Sequence, residues 1–219
     1  TILTADAGLS AYPALSQDGS LVAYASDRAG GGNLDIWVQQ VRGGEPIRLT
    51  HDEADDSDPD ISPDRTRIAF RSERAGGGVY VVPALGGTAA LLVPGCRNPR
   101  FSPDGNSIAC WTGREGTGGY EPGSAKVFIV PAGGGELKQV HPEFGAALYP
   151  VWSPKGSGLL VLGRPDKKAP GRRSAPTLHD AGMRLIARRR RDDHRLNRLT
   201  FPEEPLAFRA CLLKGIDLV

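Results

Sequence analysis

The chain has 219 residues, with 27 Lys/Arg against 25 Asp/Glu, 39% hydrophobic residues, 29 Gly and 18 Pro. This length and apolar share suffice for one domain with a sizeable core, and the Gly and Pro content fits a turn-dense all-β protein. No apolar run reaches the roughly 18 residues that a membrane-spanning helix needs. The first residue is Thr and no charged-then-apolar leader follows, which reads as a fragment or processed piece.

In chain order, the segment Pro-x-x-Ser recurs four times: Pro13 to Ser16, Pro59 to Ser62, Pro99 to Ser102 and Pro150 to Ser153. The serines are 46, 40 and 51 residues apart, a period that belongs to propellers and solenoids. After each copy stands a turn (Gln17-Asp-Gly19, Pro63-Asp-Arg65, Pro103-Asp-Gly105, Pro154-Lys-Gly156). A short apolar run follows: Leu21 to Tyr24, Ile68 to Phe70, Ile108 to Cys110 and Leu159 to Val161. Small polar clusters close the first three runs (Ser26-Asp-Arg28, Ser72-Glu-Arg74, Thr112-Gly-Arg114). Next come glycine-rich connections, a second run (Ile36 to Val38, Val79 to Val82, Val127 to Val130) and a Gly-Gly pair (Gly43, Gly86 and Gly134 with their successors).

Short β-branched and aromatic runs between Asp-Gly and Gly-Gly predict hairpin-linked strands, four per unit. A four-stranded meander buries neither face alone, so successive units stack around an axis as blades of an all-β propeller. The aromatics Trp37, Tyr80 and Phe128 share one repeat position and are expected between blades.

These motifs, in this order, resemble the WD-type repeat of TolB-like (WD40-like) β-propellers over residues 10 to 166. Three copies are full and the fourth is partial. Gln17, Arg65, Lys155 and Cys110 depart from the pattern, and Arg65 costs stability if its φ is positive. The resemblance implies a non-catalytic module that binds a protein or peptide at its loop-built face. The blades look most like the sensor propellers attached to bacterial serine/threonine kinases. The alternatives it leaves open are the gating propeller of a prolyl-oligopeptidase-like serine peptidase and a TolB-type periplasmic interaction protein.

The expected division is residues 1–166 as propeller blades and 167–219 as a basic tail. Residues 1–163 hold 13 Lys/Arg against 18 Asp/Glu, and residues 164–219 hold 14 against 7. Past Asp166 the repeat breaks off without a second aromatic strand or Gly-Gly pair, and Arg188, Arg189, Arg190 and Arg191 form a dense cationic run. Three readings stay open. The tail binds nucleic acid or an anionic membrane surface through clustered arginines. Alternatively it is a divergent segment, partly helical from Met183 to Arg198, or it is GC-rich sequence read out of frame. The break inside a repeat favours the last, and nucleic acid is not the expected partner. Three and a half blades leave open strand edges, which predicts self-association.

No chemistry-bearing motif appears. Gly-x-Ser-x-Gly and the Walker pattern are absent, and His51, His141, His179 and His194 lack metal-ligand spacing. No cofactor or enzymatic activity is expected of this chain. Cys96, Cys110 and Cys211, odd in number and widely spaced, point to neither a disulfide framework nor a metal knuckle, and Cys110 reads as a buried strand residue. The acidic stretch Asp52 to Asp60 could bind a hard cation but lacks the glycine of a calcium loop, so an inter-blade connection is expected. The candidate partner-contact residues are Asp55, Asp56 and Asp58 in that stretch, and Trp111, which has no aromatic counterpart in the other units and neighbours the longest loop.

Overall fold

A computed structural model describes residues 8–113, 125–140, 142 and 144–165, together with the backbone of 209–214. It contains four antiparallel sheets, each a meander. Blade 1 comprises β1 (Ser10–Leu15), β2 (Leu21–Ser26), β3 (Asp35–Gln40) and β4 (Ile47–Arg48). Blade 2 comprises β5 (Asp56–Ile61), β6 (Arg67–Ser72), β7 (Gly78–Pro83) and β8 (Ala90–Pro94). Blade 3 comprises β9 (Cys96–Phe101), β10 (Ser107–Thr112), β11 (Lys126–Pro131) and β12 (Lys138–Gln139). Blade 4 comprises β13 (Phe144–Trp152), β14 (Gly158–Pro165) and β15 (Arg209–Lys214).

The fourth sheet takes its third strand from beyond residue 166. Backbone pairs run from Gly158↔Lys214 to Gly163↔Arg209, so an Arg-Ala-Cys-Leu-Leu-Lys segment occupies the place where the other blades have a strand ending before Gly-Gly. The rest of 167–219, including Arg188 to Arg191 and the helix expected at Met183 to Arg198, lies outside the described residues.

The repeated serine is a buried pivot. In blade 2, Ser62 Oγ donates to Asp64 at 2.5 Å and accepts the Arg67 N–H at 3.0 Å, while Asp64 also accepts the Thr66 N–H. Ser16 with Asp18 and Ser102 with Asp104 repeat this geometry, which locks the hairpin register. Where Lys155 replaces the aspartate, the buried Ser153 hydroxyl has no partner among the described residues. The following turn residue is left-handed in every copy: Gly19, Gly105 and Gly156 at φ 69°, 75° and 71°, and Arg65 at 61°. A side chain there costs roughly 1 kcal/mol or more. Arg65 recovers part of it through an exposed ion pair to Asp18 of blade 1 at 2.6 Å.

Three apolar clusters lie at the three blade-to-blade joints. Between blades 1 and 2, Ala23, Ala25, Ile36, Val38 and Leu49 meet Ile61, Ile68, Phe70, Tyr80 and Val82. Alternate residues of β6 face opposite neighbours: Ile68 and Phe70 point to blade 1, and Ala69 to blade 3. This two-sided burial makes the second strands read as continuous apolar runs. Each large side chain so buried contributes about 1.5–3 kcal/mol. Of the three equivalent aromatics, Tyr80 is inter-blade core, stacked on Phe70 at 6.0 Å, whereas Trp37 and Phe128 are only half-buried.

The first strands gather about the axis. β1 packs against β5, β5 against β9 and β9 against β13, whereas β4, β8 and β12 adjoin mainly their own blades. Each first strand carries a bulge at the residue before the repeat proline, and Tyr12, Asp58, Asn98 and Tyr149 all have φ between 49° and 53°.

The expectation that the cysteines imply no disulfide is corrected. Cys96 and Cys110 are bonded, with Cα atoms 5.9 Å apart. Cys96 pairs with Thr112, which places Cys110 diagonally across the ladder, and the bulge at Asn98 between them twists the strands together. Both cysteines are fully buried, as expected of Cys110.

Candidate binding surface

Antiparallel meanders divide their connections between two ends. The β1–β2 and β3–β4 turns and their equivalents lie at one end. The β2–β3 and β6–β7 loops and the blade-to-blade connections lie at the other, and the acidic stretch runs from that second end into the axis.

Most of the acidic stretch is engaged by protein donors. Asp52 accepts the Ala54 N–H at 2.9 Å, and Asp55 accepts the Leu34 N–H at 2.8 Å, tying the connection back to blade 1. Asp56 is fully buried and pairs with Arg74 at 2.7 Å. Burial pushes the Asp56 carboxyl above its ordinary range, against the opposing Arg74 charge, and one of its oxygens is buried with no hydrogen-bond partner among the described residues. Arg74 stacks over Tyr80 at 4.9 Å, and its copy Arg28 stacks over Trp37 at 5.1 Å and donates to the Tyr24 hydroxyl at 2.8 Å. The Ser-Asp-Arg repeat is therefore a set of struts at strand ends. Among the described residues no three His, Cys, Asp or Glu side chains converge as a metal site.

At the axis the side chains are polar and closely packed. Burial raises the Asp58 carboxyl, opposed first by the Arg100 charge and then by the neighbouring Asn98, Arg71 and Arg97. Asp60 accepts the Phe101 N–H at 2.7 Å, linking blade 2 to blade 3. Arg71, 5% exposed, donates to Cys96 O at 3.1 Å and pairs with Glu73 at 2.7 Å. Gly77 has φ 88°, which favours glycine, and a Cβ there would displace the Arg71 guanidinium.

Of the four residues singled out from sequence, Asp55 is tied to blade 1, Asp56 is buried against Arg74 of its own blade, and Asp58 faces Arg100 of blade 3. Trp111 is elsewhere. It is 6% exposed, packed with Leu148, Leu159 and Val161, and meets Tyr149 edge-on at 5.6 Å. Its ring is core at the joint between blades 3 and 4. The aromatic surface is presented instead by Tyr12 and Tyr149, 51% and 49% exposed on the innermost strands of blades 1 and 4. The signal that finds them is their shared position before the repeat proline.

Four stacked meanders with first strands converging on an axis define a β-propeller. No curated protein matches the chain. The chain belongs to the TolB β-propeller domain family (PD40), which matches residues 1–118. TolB from Acinetobacter baumannii superposes with a TM-score of 0.62 at 18% identity, over 76% of this chain and 40% of that protein. A putative TolB from Agrobacterium tumefaciens gives 0.58 at 22% identity, over 72% and 55%. Puromycin hydrolase gives 0.55 at 18% identity, over 74% and 26%. The chain thus spans at most about half the length of these proteins, and at such identities the likeness is one of fold. Among the described residues no helix is long and apolar enough to cross a membrane.

Proposed function

We propose that the chain is a non-catalytic binding module that engages a protein or peptide where the loop end meets the axis. The observation that carries this reading is the contrast at that surface. Among the described residues most of its acids and arginines are held by one another and by backbone groups, while two tyrosines stand half-exposed on the innermost strands. Tyrosine supplies large amphipathic contact area at low entropic cost, which suits recognition. The kinase-attached sensor is the architecture we favour, on the resemblance of the repeats.

A pull-down with the full chain tests it. Tyr12→Ser with Tyr149→Ser is expected to lose the captured partner while leaving the melting temperature within a few degrees, and retention of the partner sinks the reading. The chain by itself is expected to show neither phosphotransfer nor peptide hydrolysis. A second reading, the gating propeller of a serine peptidase, draws on the likeness to puromycin hydrolase. A hydrolase domain encoded after the blades would favour it, and a kinase domain encoded before them would favour the sensor.

A further inference from the structure

At the turn end of the joint between blades 2 and 3, one arginine closes the gap. Arg67, the first residue of β6, donates to Ala132 O at 3.1 Å and to Gly105 O at 3.2 Å, and lies over the Phe101 ring at 5.5 Å. Gly105 belongs to the β9–β10 turn and Ala132 to the β11–β12 turn, so a guanidinium of blade 2 satisfies two turn carbonyls of blade 3.

The joint between blades 1 and 2 has the same two turns and a different filler. Leu21 stands at the position of Arg67, Arg65 at that of Gly105 and Ala84 at that of Ala132. Leucine has no donor, and neither the Arg65 nor the Ala84 carbonyl accepts a hydrogen bond from a described residue. Here a cleft of about 880 Å³ opens, lined by Leu21, Arg42, Asp64, Arg65, Pro83 and Leu85. Leu85 is 91% exposed. The Arg65 charge is answered by Asp18. Asp64 is held ionised, its carboxyl lowered to about 2 by Ser62 and Thr66.

We propose that this cleft takes the arginine side chain of a partner protein segment, whose guanidinium donates to the Arg65 and Ala84 carbonyls as Arg67 donates to Gly105 and Ala132. The joint next door is the template. A planar fork suits two carbonyl acceptors, and its aliphatic stem packs on Leu21 and Pro83. The proposal rests on the reading of the chain as a protein-binding module, and it adds a second surface at the opposite end from Tyr12 and Tyr149.

The test uses the full chain and acetyl-Gly-Arg-Gly-amide in an amide-resolved NMR titration. Saturable shifts are expected at Gly19, Thr66 and Leu85, with Kd in the region of 1 mM, about −4 kcal/mol. In Leu21→Arg the new side chain reaches the two carbonyls, and affinity falls about tenfold or more, as expected for losing charge-assisted hydrogen bonds. Arg67→Leu vacates the neighbouring joint, and a second set of shifts appears at Asn106 and Gly133. The Tyr12→Ser, Tyr149→Ser variant binds the peptide unchanged, so a failure here is separable from a failure at the loop end. Equal shifts with acetyl-Gly-Leu-Gly-amide, no saturation below about 10 mM, or undiminished binding by Leu21→Arg overturns the proposal. Should Leu21→Arg not fold, absence of the second set in Arg67→Leu overturns it equally.

Discussion

Asp60 sits at the inner end of the joint between blades 2 and 3, its carboxylate accepting the Phe101 N–H at 2.7 Å. Burial raises its pKa from 3.8 to about 6, outweighing the Arg100 charge and the amide donors of Phe101 and Ile61. Between those two values the folded chain binds a proton that the unfolded chain releases. Its contribution is therefore fully present below pH 3.8 and is lost as pH rises through about 6. Asp18, Asp64 and Asp104 act oppositely: their carboxyls are lowered by hydrogen bonds from Ser16, Ser62 and Ser102, so their contribution is lost as pH falls below the ordinary carboxylate range. Stability should peak between the two windows. Asp60→Asn keeps an acceptor for Phe101 and abolishes the ionisation. It is expected to raise stability by about 1–3 kcal/mol near pH 7 and to leave it unchanged near pH 4. Thermal melts at the two pH values decide it, and equal effects at both would remove the assignment.

Within the strands, bulge and disulfide belong together. The bulge at Asn98 twists β9 across β10 and brings Cys96 to Cys110, 14 residues on in sequence. Closing a loop of that length contributes roughly 2–4 kcal/mol, model-dependent in mechanism. Cys96→Ala with Cys110→Ala is expected to lower the melting temperature of the oxidised protein accordingly. An unchanged melt would show that blade 3 does not depend on the link. Strands and turns were legible in the residues because Asp-Gly, Gly-Gly and the Pro-x-x-Ser copies each carry a local conformational demand that repeats. The disulfide was not, because a spacing of 14 residues becomes a contact only after the bulge has shifted the register. Trp111 is exceptional in its side chain and not in its place. Its counterparts Ala25 and Arg71 are also buried at joints, so what varies is the filling of one place. A Tyr-Pro pair carries no local demand for a left-handed residue; the bulge imposes it at Tyr12 and Tyr149, and only their shared place before the repeat proline marks them.

Across the whole molecule, each first strand ends on an apolar residue that the preceding blade covers. Ile61 is 6% exposed and Phe101 is 7% exposed, while Leu15, at the same place in blade 1, is 62% exposed. Among the described residues the first and fourth blades share no extensive contact, so the described part of blade 1 presents the kind of surface that the other joints bury. Repeat units stabilise one another through such nearest-neighbour interfaces. An uncovered one attracts any blade of matching face, including that of a second copy, and a head-to-tail contact of this kind continues unless its rotation closes a ring. The chain is accordingly expected to self-associate as its concentration is raised. Leu15→Glu should shift sedimentation velocity profiles toward monomer while leaving the melting temperature almost unaltered, because that side chain supports little of its own blade. Oligomers that persist in Leu15→Glu would place the contact on another surface, and a wild-type chain that stays monomeric across the concentration range would mean that blade 1 needs no neighbour.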